Sequence, residues 1–177
     1  MSMNKLKING VLIVEGKADV SYLSSFVDAL FFTTNGYDLS KEKIEFLNLA
    51  SKANNLIIFT DPDKAGEEIR NKINECVPDV KHARSENIQR KGYRKHGVAE
   101  LPKEEVIKVL SPFVGEEINR YDYDLTSLIS LSKNPSEAKS KLITKYRLIE
   151  GNNKYLENEL NILKVKPEEI KELLSGN

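Results

Sequence analysis

Several residue types and patterns are scarce in this chain of 177 residues, and each absence excludes a class of protein. The single cysteine, Cys76, excludes a disulfide framework and a cysteine-rich zinc site, and its place in a predicted helix favours a small buried apolar side chain. His82 and His96 are not paired at metal-ligand spacing, which argues against zinc. The chain has no apolar run of about 18 residues and no charged leader before a long apolar segment. We therefore expect a soluble, cytoplasmic protein without a membrane partner.

An excess of charge is also missing, because 27 basic residues face 27 acidic ones. Any affinity for nucleic acid must therefore come from local clusters of basic residues. The chain contains no Gly-x-Gly-x-x-Gly and no Gly-Lys-Ser/Thr loop, so a dinucleotide or P-loop nucleotide site has no support. No motif of a serine triad is present either.

The first half of the chain alternates strand-like and helix-like segments. Apolar or β-branched runs predict strands over residues 11–14, 31–34 and 56–60 and a weaker one over 80–83. Helical spacing predicts helices over 18–30 and 65–75, and one that follows Ser40, which has N-cap chemistry. This alternation predicts an α/β fold with a parallel sheet and right-handed crossovers, followed by an extended piece at 98–101 and a helix over 102–110.

The chain changes character after a predicted linker over residues 115–124, because no credible strand follows it. Asn134-Pro135-Ser136-Glu137 predicts a helix start, and Gly151 is well placed as the stop of that helix. Further helices are predicted around residues 155–163 and from Pro167 onward. We therefore predict two domains, 1–115 and 120–177, of which the second is small, all-helical and in need of support from the first.

Acidic residues follow two of the predicted strands. Glu15 ends the run 11–14, whereas Asp61 and Asp63 end the run 56–59. Because parallel strands end at one sheet edge, these acids should meet there and hold a divalent cation, for which Mg²⁺ is the best candidate. Asp19 and Glu67 are either further ligands or ordinary acids of a first helical turn. On spacing alone, the acids could equally be turn and cap residues.

Basic residues cluster between positions 81 and 96. Six of them face one acid, Glu86, in a segment that suits a phosphate backbone, and Tyr93 within it could stack on a base. The alternative is a solvated surface loop. Lys17 could contact a phosphate or simply be an exposed lysine of a first helical turn. The candidate RNA-binding residues are Lys17, Lys81, Arg84, Arg90, Lys91, Tyr93, Arg94 and Lys95.

Two motifs resemble a known family. Val14-Glu15-Gly16-Lys17, followed by Asp61-Pro62-Asp63-Lys64-Ala65-Gly66-Glu67-Glu68-Ile69, is similar to the Toprim domain of topoisomerases, bacterial primases and several nucleases. Within that group, Thr60-Asp61-Pro62-Asp63, the Asn35-Gly36 turn, Lys81-His82-Ala83 and the short chain most resemble the ribonuclease M5 family. The segment from Gly151 to Leu156 resembles the helical C-terminal domain of that family.

The resemblance implies a Rossmann-like Toprim sheet and a helical RNA-binding domain. We expect a monomer. It implies Mg²⁺-dependent hydrolysis in the double-stranded stem of precursor 5S ribosomal RNA, presented by a ribosomal protein bound to that RNA. Glu15 would be the general acid/base near the metal, and Asp61 and Asp63 its ligands. Two alternatives remain: another Toprim nuclease or primase-like protein that acts on DNA, and a noncatalytic RNA-binding assembly factor.

Overall fold

A four-stranded parallel sheet forms the centre of the computed structural model, which describes residues 5–36, 39–85, 97–116 and 118–175. The strands are β1 (Leu6–Val14), β2 (Val27–Thr33), β3 (Leu56–Ile58) and β4 (Lys81–His82), in the order β2-β1-β3-β4. Every neighbouring pair is parallel. β1 lies between two strands and is covered on both faces, so its residues from Val11 to Val14 are fully buried. The predicted α/β fold is confirmed.

Helices cover both faces of the sheet. Helices α1 (Lys17–Ser24), α2 (Lys41–Ala53), α3 (Lys64–Cys76) and α4 (Lys103–Leu110) follow the strands in chain order. Alternate residues of β1 point to opposite faces. Leu12 and Val14 pack in one cluster with residues of α1 and α4. Val11 and Ile13 pack in another with residues of α2 and α3. The sheet is thus the middle of three layers.

The C-terminal region consists of helices α5 (Leu125–Ser130), α6 (Pro135–Tyr146), α7 (Asn153–Ile162) and α8 (Pro167–Ser175). Their buried residues belong to the same hydrophobic cluster as α2 and α3, so they share a core with the sheet. Hydrogen bonds reinforce this packing: the amide of Asn158 donates to the Phe31 carbonyl at 2.9 Å, and that of Asn54 to the Ile162 carbonyl at 2.5 Å. The domain limits 1–115 and 120–177 stay a prediction.

The first predicted helix was too long. It ends at Ser24 instead of residue 30, because the backbone N–H and the hydroxyl of Ser25 both donate to the Tyr22 carbonyl. β2 then begins at Val27 at the edge of the sheet, and most of its residues are buried. Further along, residues 98–100 form a 3₁₀ turn where an extended piece was predicted.

Two predictions around the other helices were also wrong, and one helix was missed. Cys76 is exposed at the end of α3, where a buried side chain was expected. Gly151 does not stop α6, which ends at Tyr146 and is followed by Arg147 in the left-handed conformation, with φ 52° and ψ 44°. Helix α5, which Asp124 caps, was not predicted at all. No helix in the described ranges is long and apolar enough to cross a membrane.

Candidate active site

The acids that follow β1 and β3 lie side by side. Ile13 and Ile58 are register partners, so the two strands end at the same edge of the sheet. Glu15 follows β1 directly, and its Oε1 accepts a hydrogen bond from the backbone N–H of Asp61 at 2.8 Å. The predicted meeting of the two strand ends is therefore present in the structure.

Asp61 is held by a segment that lies far along the chain. Its Oδ1 accepts a hydrogen bond from the Val98 N–H at 2.6 Å. A Cβ added to Gly97 would lie 2.9 Å from Oδ2 of the same carboxylate. Gly97 thus lets the backbone approach Asp61 closely. Sequence reasoning missed this contact, because no local pattern links residues so far apart.

Asp63 forms the N-cap of α3. Its Oδ1 accepts a hydrogen bond from the Gly66 N–H at 2.8 Å, which satisfies one of the free donors of the first helical turn. Position 66 requires glycine for a steric reason, because an added Cβ would lie 2.1 Å from the Asp61 carbonyl oxygen. This turn therefore fixes where Asp61 and Asp63 stand relative to each other.

Asp19 and Glu67 have different surroundings. Asp19 is buried in the first turn of α1, where its Oδ2 accepts a hydrogen bond from the Gly16 N–H at 2.9 Å. Glu67 forms an ion pair with Arg84 and lies 3.8 Å from Nε of Arg70. The hydrogen bond from Arg84 lowers the pKa of Glu67. The structure therefore brings Asp19 into the acidic group and gives Glu67 two arginine partners.

The carboxylates of the acidic group, Glu15, Asp19, Asp61 and Asp63, repel one another. Burial raises the pKa of Glu15, repulsion from Asp61, Asp63 and Asp19 raises it further, and the hydrogen bond from Asp61 offsets only part of this. Burial also raises the pKa of Asp61, again with repulsion from Asp19 and Asp63. A shared cation would relieve this repulsion.

The donors suit a hard divalent cation such as Mg²⁺, because they are carboxylate oxygens. Among the residues that the structure describes, however, no group of three or more His, Cys, Asp or Glu side chains is already gathered around a point that could hold a metal ion. The fit of a cation therefore rests on the chemistry of the donors and on their mutual repulsion.

Arg70 is a buried residue that sequence reasoning missed. Its guanidinium donates to the carbonyls of Ile58, Thr60 and Ala83 at 3.2, 3.3 and 2.8 Å, so it joins the end of β3 to the segment after β4. Burial lowers its pKa to about 10. A signal was available: Gly66, Arg70 and Ile73 have the i, i+4, i+7 spacing of one helix face, and all three are buried.

The predicted RNA-binding residues fall into three groups. Lys17 and Lys81 are exposed, near the carboxyl edge of the sheet and on β4 respectively. Arg84 is exposed but paired with Glu67. The other five lie outside the described residues: Arg90, Lys91, Tyr93, Arg94 and Lys95.

The chain is similar to known proteins over most of its length. Residues 10–91 match the model of the Toprim domain, a range that holds both strand ends and every acid of the group. A ribonuclease M5 of Fusobacterium nucleatum is 34% identical over 173 residues, which cover 94% of each chain. Ribonuclease M5 of Borreliella burgdorferi is 33% identical over 178 residues, 96% of this chain and 94% of the relative. That of Mycoplasma genitalium is 30% identical over 161 residues, 90% of each. The chain belongs to the ribonuclease M5 family.

Proposed function

We propose that this protein is an endoribonuclease that hydrolyses phosphodiester bonds in the double-stranded stem of precursor 5S ribosomal RNA, with Mg²⁺ as its cofactor. The observation that carries the proposal is the contact between Glu15 and Asp61, which unites the acids of two strands at one sheet edge. The relatives are named ribonucleases, which favours RNA as the substrate.

Glu15, Asp61 and Asp63 would hold the ion, with Asp19 next to them. When bound, such an ion neutralises charge on a phosphoryl oxygen and makes water a better nucleophile. Glu15 is the candidate for proton transfer, because a carboxylate beside the ion can move a proton to or from a reacting oxygen. The Asp61 N–H orients the Glu15 carboxylate, because it donates a hydrogen bond to Oε1 of Glu15.

The RNA would be held by basic residues near this edge, namely Lys17, Lys81, Arg84 and the four cations between residues 90 and 95. These contacts would position the duplex, and a 5S-binding ribosomal protein would present it. The C-terminal helices would add RNA contacts.

The main experiment incubates the protein with precursor 5S RNA and with a DNA duplex, each with Mg²⁺ or EDTA. We expect cleavage of the RNA stem with Mg²⁺ alone, and faster cleavage when the 5S-binding ribosomal protein is added. Cleavage of DNA instead would indicate a DNA-directed Toprim nuclease. RNA binding without cleavage of either substrate would indicate an assembly factor.

Asp61→Asn tests the acids themselves. The amide oxygen can still accept the Val98 hydrogen bond, so the fold should be kept while the charge is lost. We expect cleavage to be abolished and RNA binding to change by no more than a few fold. The matched control is Asp79→Asn, an exposed residue before β4 with φ 56°, a conformation that asparagine tolerates well. Wild-type cleavage by Asp61→Asn would contradict the role of the acids.

The basic segment is tested by replacing Arg90, Lys91, Arg94 and Lys95 with alanine. RNA binding should weaken, and the salt dependence of log K should flatten by about 0.9 for each phosphate that is no longer neutralised. An unchanged slope would mean that these residues do not touch phosphate.

A further inference from the structure

A cleft of about 790 Å³ lies between the end of β2, the start of α1 and the start of α7. It therefore lies between the Toprim sheet and the C-terminal helices. Its volume falls within the range of roughly 300–1,000 Å³ that is usual for small-ligand sites. Of the individual residues that line it, sequence reasoning named only Lys17 as a binding candidate.

Backbone hydrogen bonds link the end of β2, which lines the cleft, to the end of β1, which carries Glu15. Thr33 and Asn35 line it, and Thr33 is the register partner of Val14 in the last pair of β1 and β2. The Asn35 N–H donates to the carbonyl of Glu15 at 2.8 Å. The cleft and the acids therefore lie at the same edge of the sheet.

The charge of the cleft favours an anion. Lys17, Lys43 and Lys154 line it, against one lining acid, Glu150. Lys43 is fixed in place, because its Nζ donates to the Thr34 carbonyl at 2.5 Å. Lys17 and Lys154 are exposed at the rim, where they can meet a phosphate.

The walls of the cleft favour a flat ring. Phe31 and Tyr155 line it and are only partly buried, so their rings are not fully enclosed by the core. Asn158 fixes the position of α7 against Phe31 by donating to its carbonyl at 2.9 Å. Tyr155 packs closely against Gly151, where an added Cβ would lie 2.6 Å from the ring. Cationic rims combined with aromatic surfaces are the usual chemistry of single-stranded nucleic-acid sites.

We propose that this cleft binds an unpaired nucleotide of the RNA substrate, at the point where the strand leaves the duplex held by the acids. The lysines contact its phosphate, and its base stacks on Tyr155 or Phe31. The inference rests on the proposed function, because it takes the RNA duplex to lie at the acidic edge. It gives the C-terminal helices a defined role, in which they and β2 together recognise the junction between double-stranded and single-stranded RNA.

The test measures binding of the full chain to two RNA hairpins in EDTA, where no cleavage occurs, by fluorescence anisotropy. One hairpin has a blunt stem. The other carries a short unpaired tail, which is placed at the 5′ end in one version and at the 3′ end in a second. We expect the tailed hairpin to bind about tenfold tighter, as expected for one stacked base, and an abasic tail to lose most of this gain. Equal affinity of wild-type protein for blunt and tailed hairpins would overturn the proposal.

The variant Lys154→Ala should reduce the affinity for the tailed hairpin to nearly that for the blunt one. Its salt slope for the tailed hairpin should fall by about 0.7, the value for one single-stranded phosphate. The matched control Lys171→Ala removes an exposed lysine away from the cleft and should behave as wild type. A tail preference that survives unchanged in the Lys154→Ala variant would exclude the cleft.

Tyr155→Leu should also lose the tail preference, whereas Tyr155→Phe, which keeps the ring, should retain it. Loss of the preference in Tyr155→Phe would contradict stacking. Failure of the cleft alone leaves binding and cleavage of the blunt stem intact. Failure of the proposed function instead removes the binding or cleavage of both hairpins.

Discussion

Glu159 carries the sharpest prediction about stability, because it is a fully buried carboxyl group in α7. Its Oε2 accepts a hydrogen bond from the Ile149 N–H at 2.8 Å, and the Tyr155 side chain also interacts with it. Its Oε1 has no hydrogen bond of normal geometry within the described part of the chain. Burial therefore dominates and raises the pKa of Glu159 to about 8.

The magnitude follows from linkage between proton binding and folding. Below the ordinary pKa of 4.5, the group is protonated in both the folded and the unfolded chain and has no effect on stability. Between about pH 4.5 and 8 only the unfolded chain ionises, so the free energy of unfolding falls by about 1.4 kcal/mol per pH unit. At pH 7 the accumulated loss is about 3 kcal/mol. Above pH 8 the loss is constant.

Glu159→Gln removes this titration and keeps an oxygen that can accept the Ile149 hydrogen bond. We expect the variant to gain stability over wild type progressively from pH 5 to pH 8, by up to about 3 kcal/mol at pH 7. Urea unfolding at each pH, followed by circular dichroism, measures the difference. The control is Glu168→Gln, at an exposed position in α8.

The slope with pH is the critical quantity. A poor fit of the new amide would add a constant offset at every pH, because an amide does not titrate. Parallel stability curves for wild type and Glu159→Gln between pH 5 and 8 would therefore refute the argument that this carboxyl group is buried and protonated in the folded protein.

Three further substitutions test close contacts. Gly97→Ala should reduce cleavage at least tenfold, because the new Cβ would lie 2.9 Å from an Asp61 oxygen. The melting temperature should hardly change, because the φ of −65° at this position suits alanine. Wild-type cleavage rates would contradict this prediction. Arg70→Met should lower the free energy of unfolding by about 2 kcal/mol or more in urea titrations, since the Thr60 and Ala83 carbonyls lose the Arg70 donor. The Ile58 carbonyl keeps the hydrogen bond from the Ala83 N–H. A loss below about 1 kcal/mol would contradict this prediction. Gly151→Ala should displace the Tyr155 ring and weaken binding of the tailed hairpin but not the blunt one, as anisotropy would show.

The placement of the acids was predictable from the sequence, because it follows from rules for the sheet. Two apolar runs of strand length, each ended by acids, sufficed to place Glu15 beside Asp61 once the strands were taken as parallel neighbours. The cap at Asp63 was also local information, contained in its distance of three residues from Gly66. The chemistry of these residues in the protein stays a prediction until cleavage is measured.

The boundary between α1 and β2 was not predictable from the hydrophobic pattern. Val20, Leu23 and Val27 have helical spacing, yet the chain leaves the helix after Ser24, and Val27 belongs to a strand. A short apolar run buried on both faces has no periodicity that separates helix from strand. Glu159 was hidden for a related reason, since a glutamate in a polar helix sequence is normally exposed and only tertiary packing buries it.

The described residues on either side of the stretch 86–96 lie near the sheet edge that carries the acids. Before this stretch, the Ala83 N–H donates to the Ile58 carbonyl at 2.9 Å, and Arg84 pairs with Glu67. After it, the Val98 N–H donates to Asp61. Because Glu67 already neutralises Arg84, we expect the attraction for phosphate to come from Lys17, Lys81 and the four cations between residues 90 and 95. Loss of those four cations should raise KM for RNA far more than it lowers kcat, because their proposed role is to bind the substrate and not to act on the scissile bond.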